Sequence, residues 1–587
     1  MQRRAIAALV LAVAGVAAAG AALAGGAGAA SPGKAKQYVV LAERNATGAA
    51  VRTAVATSGG RIVGANRDIG LFTVVSRNPN FVRVATATRA IQSAGRSRPI
   101  GSSRAANRDK LELIARHRSV GEATHDRDGH RRHRHDAEPL ADLQWDMQMI
   151  NATRKGSYDE QRGRRKVLVG IIDTGIDGTH PDIAPNFDAE LSRNFTVDIP
   201  AIDGPCAAEA DQSCTDPANV DEDGHGTHVA GTIGAAINGL GIAGVAPKVT
   251  LVNLRAGQDS GFFFLQPTLD ALTYAADNGI DVVNMSFFTD PWLYNCRNNP
   301  GDSAAERAEQ ALVIDATQRA VNHARARGVT LVSALGNEGT DMGNPLVDPF
   351  SPDFPIGGER TRVVDNTCLN VPAETDGVIS VSSIGPSGAK SDFSNYGVEQ
   401  TDVSAPGGFA TDFPGTPQFN RVENTVLSAY PESVGRASGE IGPDGAPTTN
   451  AVVRDCQNGV CAYYKYEEGT STAAPHAAGV AALIVSESGS KRHGRGITMD
   501  PAEVERILKE TATDVPCPSP PLVDYTANGS PGLTALCEGT PDVNGFYGNG
   551  IVDALAAVDD DHDRDHRGRD GDRDDRGDDR GGRGDDH

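Results

Sequence analysis

A stretch of small residues near Ser471 limits the fold of this chain more than any other feature. Alanine and glycine dominate positions 473–482, directly after Gly469-Thr470-Ser471. A helix built from such residues can be packed closely on every side, which predicts a helix in the interior of a layered fold. The N–H groups of a helix's first turn have no partner within the helix and can bind an anion. Ser471 is therefore either an ordinary helix-capping residue or a nucleophile beside an anion site.

Two other segments favour the nucleophile. An apolar run over 166–172 ends at Asp173, as expected of a buried parallel strand with a polar residue at its carboxyl end. His225 stands between two glycines at a predicted loop-to-helix junction. A carboxylate and an imidazole together activate a serine hydroxyl for attack on a carbonyl. The residues alone do not decide whether His225 or His228 would be the base.

Four motifs, in this order, carry a resemblance to the subtilisin-like serine proteases over about residues 140–558. They are Asp173-Thr174-Gly175-Ile176-Asp177, His225-Gly226-Thr227-His228-Val229-Ala230-Gly231, Gly336-Asn337-Glu338-Gly339, and Gly469-Thr470-Ser471 followed by Ala474-Pro475-His476. The resemblance implies a serine endopeptidase with Asp173, His225 and Ser471 as its catalytic triad. It also implies an oxyanion hole formed by the Asn337 side-chain amide and the Ser471 N–H.

Other polar residues of these motifs have simpler interpretations. His228 and His476 lie inside predicted helices, and we expect them to be packed structural histidines. Asp177 and Asp182 are expected to serve in turns or hydrogen bonds rather than in catalysis.

The rest of this region predicts an α/β fold, with a mostly parallel, doubly wound sheet flanked by helices. Strands are predicted over 249–254, 281–286 and 378–384, and helices over 268–278, 304–327 and from Pro501 onward. Alternation of strands and helices gives a parallel sheet with helices on both faces. The resemblance implies the same subtilisin-like fold.

The predicted substrate-binding segments depart from the family pattern. The residues that the resemblance assigns to substrate binding are Ser286, Phe287, Phe288, Leu335 and Gly336. Phe288 stands where the family usually has glycine, and Leu335 is bulkier than the usual alanine. Both changes should narrow the primary specificity pocket. We therefore expect specificity for small side chains or for a few partners.

Changes in composition divide the chain into five predicted regions. They are a signal peptide (1–30), a small α+β unit resembling an inhibitory pro-domain (31–102), a basic histidine-rich linker (103–137), the catalytic domain (138–558), and an Asp/Arg/Gly tail (559–587). The alternative to the signal peptide is a retained membrane anchor. The linker is expected to be a solvated connector, with metal binding or histidine-triggered release as alternatives. The tail is expected to be disordered.

Charge and cysteine content restrict the function further. The net charge of −22 argues against nucleic-acid binding. Eight cysteines in an exported chain suggest disulfide bonds, although many connectivities are possible. Short separations favour Cys206–Cys214, Cys456–Cys461 and Cys517–Cys537, which leaves Cys296 with Cys368.

The chemistry predicted here needs no cofactor. The resemblance implies a structural calcium site at the loop 235–242, with Asn238 and Asp182 as ligands. The expected partners are protein or peptide substrates and the chain's own pro-domain, with no nucleic acid and no membrane after signal removal. We expect a secreted monomer made as a self-processed precursor. The alternatives are a dedicated maturation protease for one secreted precursor and an inactive binding protein on a protease fold. Retention of all four catalytic positions argues against the latter.

Overall fold

A computed structural model describes residues 35–96 and 138–559, except 201, 209–211, 290, 354–356 and 492–495. The predicted signal peptide, the linker 103–137 and the tail beyond Asp559 lie outside the described residues.

The N-terminal unit, residues 35–96, is a small α+β fold. Its elements are β1 (Lys36–Ala42), α1 (Gly48–Thr57), β2 (Gly60–Asn66), β3 (Leu71–Ser76), α2 (Phe81–Thr86) and β4 (Ile91–Arg96). The strands form an antiparallel sheet in the order β2-β3-β1-β4. One sheet face packs on the two helices, where Val40, Val55 and Phe81 are buried. This confirms the predicted α+β unit.

The larger region carries the catalytic motifs on long buried elements. Its helices are α3 (Trp145–Met149), α4 (Ser157–Glu160), α5 (His225–Gly234), α6 (Leu265–Asp277), α7 (Ala304–Arg325), α8 (Glu432–Ala437), α9 (Thr470–Ser488) and α10 (Pro501–Glu510). The strands of the main sheet are β5 (Leu168–Ile172), β6 (Arg193–Asn194), β7 (Thr250–Arg255), β8 (Val282–Met285), β10 (Thr330–Ala334), β14 (Ile379–Ile384) and β15 (Val403–Pro406). The short strands between and after them are β9 (Asn295–Cys296), β11 (Val347–Asp348), β12 (Arg362–Val363), β13 (Cys368–Leu369), β16 (Val426–Ala429), β17 (Val452–Gln457), β18 (Val460–Glu467), β19 (Ser490–Lys491), β20 (Ile497–Thr498), β21 (Leu522–Asp524) and β22 (Thr534–Leu536).

The main sheet has seven strands in the order β15-β14-β10-β8-β5-β7-β6. All of its paired strands run parallel. Strands covered on both faces need mostly apolar residues, which explains the continuous apolar run of β5 and the complete burial of β10. The predicted parallel, doubly wound sheet is confirmed.

Helix α9 is buried from Thr470 to Ser486 and packs against α5, β10 and β14. Its small residues permit this close packing. A Cβ atom added at Gly479 would lie 2.5 Å from Cβ of Val245. Any larger residue at that position would therefore push the two segments apart.

The N-terminal unit docks on α6 and α7 through its other sheet face. Val39 and Leu71 join the apolar cluster that contains Leu312 of α7. At the edge of this contact, Arg319 of α7 donates to the carbonyl oxygens of Ala42 (2.7 Å) and Ile69 (3.0 Å). On α6, Asp270 and Thr273 accept Nδ2 of Asn66 at 2.7 and 2.8 Å. The unit is thus bound to the larger region by apolar packing and by hydrogen bonds on both helices.

Four disulfide bonds crosslink the described residues. They join Cys206 to Cys214, Cys296 to Cys368, Cys456 to Cys461 and Cys517 to Cys537. The predicted pairing is confirmed. Within the described residues, no helix has both the length and the apolar character needed to cross a membrane.

Candidate active site

Asp173 and His225 meet at the carboxyl edge of the main sheet. Asp173 follows β5 directly and is fully buried. Its Oδ1 lies 2.8 Å from Nδ1 of His225, the first residue of α5, and accepts the N–H of Thr174 at 2.8 Å. A carboxylate in this position holds an imidazole in the tautomer whose Nε2 is available as a base.

Asp221 connects the two loops that carry these residues. Its Oδ1 accepts the Thr174 hydroxyl (3.1 Å) and the Gly224 N–H (2.9 Å). Its Oδ2 accepts the N–H (2.9 Å) and the hydroxyl (2.6 Å) of Thr227. One carboxylate therefore fixes the start of α5 relative to Asp173. Asp221 was not predicted from the sequence, although an aspartate just before a helix start is a common capping signal.

Ser471 lies in the first turn of α9 and is 8% exposed. The residues on either side of it are tied to neighbouring segments. The Thr470 N–H and hydroxyl donate to Oδ1 of Asn337 at 2.8 and 3.0 Å. The Thr472 hydroxyl hydrogen-bonds to the Gly407 carbonyl at 2.8 Å. The position of Ser471 is thus fixed from both sides.

Asn337 is oriented by these contacts. Because Oδ1 accepts from Thr470, its Nδ2 end is turned away from that residue. The following residue, Glu338, accepts the Asn337 N–H (3.1 Å) and Nδ2 of Asn395 (2.6 Å) through Oε2. Burial raises the pKa of Glu338 to about 7. Gly336 has φ +111°, and a Cβ there would lie 2.3 Å from Nδ2 of Asn395, so only glycine fits.

His228 is placed differently from His225. It is buried, and its Nε2 lies 3.2 Å from the Val426 carbonyl oxygen and 3.1 Å from that of Lys465. Burial lowers the pKa of His228 and favours its neutral form. Of the two candidates for the base, His225 is the one whose ring hydrogen-bonds to Asp173.

His476 and Asp177 also make structural contacts. His476 is fully buried, with Nε2 at 3.1 Å from Oδ2 of Asp146. Asp177 accepts the N–H of Thr179 (2.9 Å) in a local turn.

A family model for the subtilases, peptidase family S8, matches residues 164–550. The chain belongs to the subtilase family. It is a serine endopeptidase, because that is the activity of the family.

Similarities to individual proteins are consistent with this family assignment. Subtilisin DY of Bacillus licheniformis is 28% identical over 349 residues, which are 60% of this chain and 84% of the relative. The nisin leader peptide-processing serine protease of Lactococcus lactis subsp. lactis is 29% identical over 64% of this chain, and the match spans only 47% of that protein. The solved structure of an epidermin leader peptide processing serine protease from Staphylococcus aureus superposes with a TM-score of 0.58 at 22% identity. It covers 90% of this chain and 98% of that one. That likeness shows the shared fold.

The predicted substrate-binding residues of this subtilase occupy different environments. Ser286 is buried, and its hydroxyl donates to the Ser471 carbonyl at 2.8 Å. Phe287 is buried and stacks on Phe263 with ring centroids 4.1 Å apart. Phe288 is half-buried and packs in an apolar cluster with Leu335. Of the two phenylalanines, Phe288 is therefore the one whose side chain is still partly exposed.

The predicted calcium ligands, Asp182 and Asn238, are hydrogen-bonded to each other and to neighbouring residues. Asp182 accepts Nδ2 of Asn238 (3.0 Å) at Oδ1 and the Tyr464 hydroxyl (2.7 Å) at Oδ2. Oδ1 of Asn238 accepts the Leu240 N–H at 2.9 Å. Asn238 thus presents a nitrogen, not an oxygen, to the carboxylate, and the two side chains as placed do not fit as calcium ligands. Calcium binding stays a prediction, which calorimetric titration after chelation would test.

Proposed function

We propose that this subtilase is a secreted, self-processed endopeptidase that hydrolyses peptide bonds through Asp173, His225 and Ser471. The observation that carries the proposal is the 2.8 Å contact between Asp173 and Nδ1 of His225. It supplies the oriented base that a serine nucleophile requires. The first turn of α9 lies at the same carboxyl edge of the main sheet, against residues that follow β8, β10 and β15.

The reaction follows from these roles. Ser471 Oγ attacks the substrate carbonyl carbon while its proton passes to Nε2 of His225. Asn337 Nδ2 and the Ser471 N–H bind the oxyanion of the tetrahedral intermediate. His225 then protonates the leaving amine as the C–N bond breaks, which leaves an acyl-enzyme. Water, deprotonated by His225, attacks the acyl-enzyme and releases the acid product and Ser471.

A serine-directed phosphonate tests the proposal. The full chain is expressed in a secreting host, and protein from the medium is treated with the reagent and digested. The label is expected on the peptide that contains Ser471, and the secreted protein is expected to be shorter than the translated chain. Failure to label any serine, together with a precursor of unchanged length, would contradict the proposal.

Replacing Asn337 with alanine should lower kcat by about 100- to 1000-fold with a small change in KM, the range found on removal of one oxyanion donor in subtilisin, a member of the same family. The amide Nδ2 would be lost, and the N–H and hydroxyl of Thr470 would lose their acceptor. Steady-state kinetics on a peptide substrate measure the effect. Asn344, an exposed residue further along the same segment, gives the control Asn344→Ala, which should stay near wild type. Equal kinetics for the two variants would remove Asn337 from the oxyanion hole.

A narrower function, maturation of one secreted precursor, is the second candidate. Two relatives are named as leader peptide-processing proteases, for nisin and for epidermin. In this chain, Phe288 packs against the apolar cluster that contains the fully buried Leu335, just before the loop that carries Asn337. A pocket narrowed by the ring of Phe288 would accept small side chains and reject larger ones, which suits an enzyme with few substrates.

Replacing Phe288 with glycine should widen the range of residues accepted before the scissile bond. Removal of the ring opens space next to Leu335, so large aromatic residues should gain at least about tenfold in kcat/KM relative to alanine, the scale of discrimination by pocket size. A peptide library profiled with both enzymes measures the change. Phe350→Gly, at a residue 44% exposed, is the matched control. If the wild type already cleaves after large aromatic residues freely, the narrow-pocket proposal is wrong.

The N-terminal unit is proposed to be the enzyme's own inhibitor until it is removed. Replacing Arg319 with alanine should weaken its docking, because two carbonyl acceptors on the unit lose a charged donor. We expect inhibition by the cleaved unit to weaken by about tenfold or more, seen as a shorter lag before activity appears in the full chain. Arg506→Ala, on α10 and paired with Glu503 of the same helix, is the control. An unchanged lag in Arg319→Ala would show that this contact does not govern release.

A further inference from the structure

Helix α9 contains a proline at a position where it removes a hydrogen bond from Ser471. Pro475 lies four residues after Ser471 inside the helix. In a regular helix the N–H of residue 475 would donate to the carbonyl of residue 471, but proline has no N–H. The Ser471 carbonyl therefore lacks its helical donor at a buried site, where an unpaired carbonyl is costly.

The hydroxyl of Ser286 supplies the missing donor. Ser286 follows the central strand β8, and its Oγ donates to the Ser471 carbonyl oxygen at 2.8 Å. That Oγ accepts Nδ2 of Asn284, a fully buried residue of β8, at 2.9 Å. Because Asn284 donates to Oγ, the hydroxyl proton is directed toward the Ser471 carbonyl. The central strand thus holds the nucleophile's own peptide group.

We propose that Ser286 is a positioning residue for Ser471, acting through the Ser471 carbonyl and not through contact with substrate. The peptide plane between Ser471 and Thr472 determines the direction of the Ser471 Cα–Cβ bond and hence the place of Oγ. With Thr470 and Thr472 already anchored, the Ser286 contact fixes the remaining residue of this turn. The proposal rests on the proposed function, since it assumes that Ser471 is the nucleophile.

This role differs from the substrate-binding role predicted from the sequence. A residue that binds substrate equally in the ground and transition states changes KM when it is removed. A residue that orients the nucleophile changes kcat, because small misplacements of a reacting atom slow the reaction strongly. Removing the Ser286 hydroxyl should therefore lower kcat by about ten- to hundredfold and change KM by less than about threefold.

The test is a double-mutant cycle of Ser286→Ala and Pro475→Ala in the full chain. In Pro475→Ala the new N–H of residue 475 can donate to the Ser471 carbonyl, which then no longer depends on Ser286. We expect Ser286→Ala to cost about ten- to hundredfold in kcat when Pro475 is present, and less than about threefold in the Pro475→Ala background. Recovery by a new backbone N–H would not occur if Ser286 only filled space or contacted substrate.

Equal losses of kcat in both backgrounds, or no loss in either, would overturn the proposal. If Ser286→Ala alone fails to fold, the comparison of Pro475→Ala with the double variant decides. Equal kcat supports the proposal, and a tenfold lower kcat in the double variant overturns it.

Ser471→Ala is assayed in parallel. If it retains hydrolysis, the proposed function fails. If it is inactive while Ser286→Ala behaves as wild type, only the positioning role fails.

Discussion

Replacing Ser471 with alanine is expected to lower kcat by about a millionfold, the order found for subtilisin when its nucleophile is removed. Without Oγ, no acyl-enzyme can form, and only a direct attack by water remains. The variant chain should also keep its full length, because it cannot cut its own precursor. Activity on a peptide substrate and the mass of the secreted protein measure the two effects.

The control for this variant is Ser438→Ala, at an exposed serine outside the site. It should be shortened and active like the wild type. If Ser471→Ala were shortened in a host without other proteases, or labelled by a serine-directed phosphonate, Ser471 would not be the nucleophile. If both variants stay full length while the wild type shortens, the fault lies in folding or export.

Replacing Asp173 with asparagine is expected to lower kcat by about ten-thousandfold, the loss known for this change in a serine-protease triad. Oδ1 of Asp173 receives both the Thr174 N–H and Nδ1 of His225, each at 2.8 Å. Asparagine fits the same space but carries no charge to stabilise the imidazolium. Its amide can also donate to Nδ1, which would select the tautomer with the proton on Nε2. His225 could then no longer accept the Ser471 proton.

Asp177→Asn is the matched control for this variant. Asp177 lies four residues further on and accepts from Thr179 in a local turn. Asparagine keeps the side-chain oxygen that accepts from Thr179, so this variant should retain kcat within about twofold. The folded content of both variants is compared by thermal melting. A loss below about tenfold in a well-folded Asp173→Asn protein would show that this carboxylate is not the partner of the base.

Much of the fold was predictable because its signals are continuous in sequence. The apolar run 166–172 and the small residues of 473–482 each describe the surroundings of one element. The polar residue that follows the strand, Asp173, marks the edge of the sheet at which ligands bind. Short cysteine separations likewise predicted the local disulfides, since closing a short loop costs little chain entropy.

Contacts between distant segments were not predictable in the same way. Asp221 and Asn395 fix the loops that carry His225 and Asn337, but neither belongs to a motif. Phe287 and Phe288 are the same amino acid in adjacent positions, yet one stacks in the core on Phe263 and the other packs with Leu335. Only the direction of each side chain separates them, and that depends on the three-dimensional path of the backbone.

The hydrogen bonds from Thr470 to Asn337 couple the motion of the start of α9 to that of the loop that carries Asn337. When thermal motion displaces the start of α9, the Asn337 amide moves with it. The distance between that amide and Ser471 therefore changes little. The nucleophile and the oxyanion donor can thus keep their relative positions while the surrounding loops move. Tightening at one of the two segments, for example by a tetrahedral adduct on Ser471, should slow amide exchange in both together.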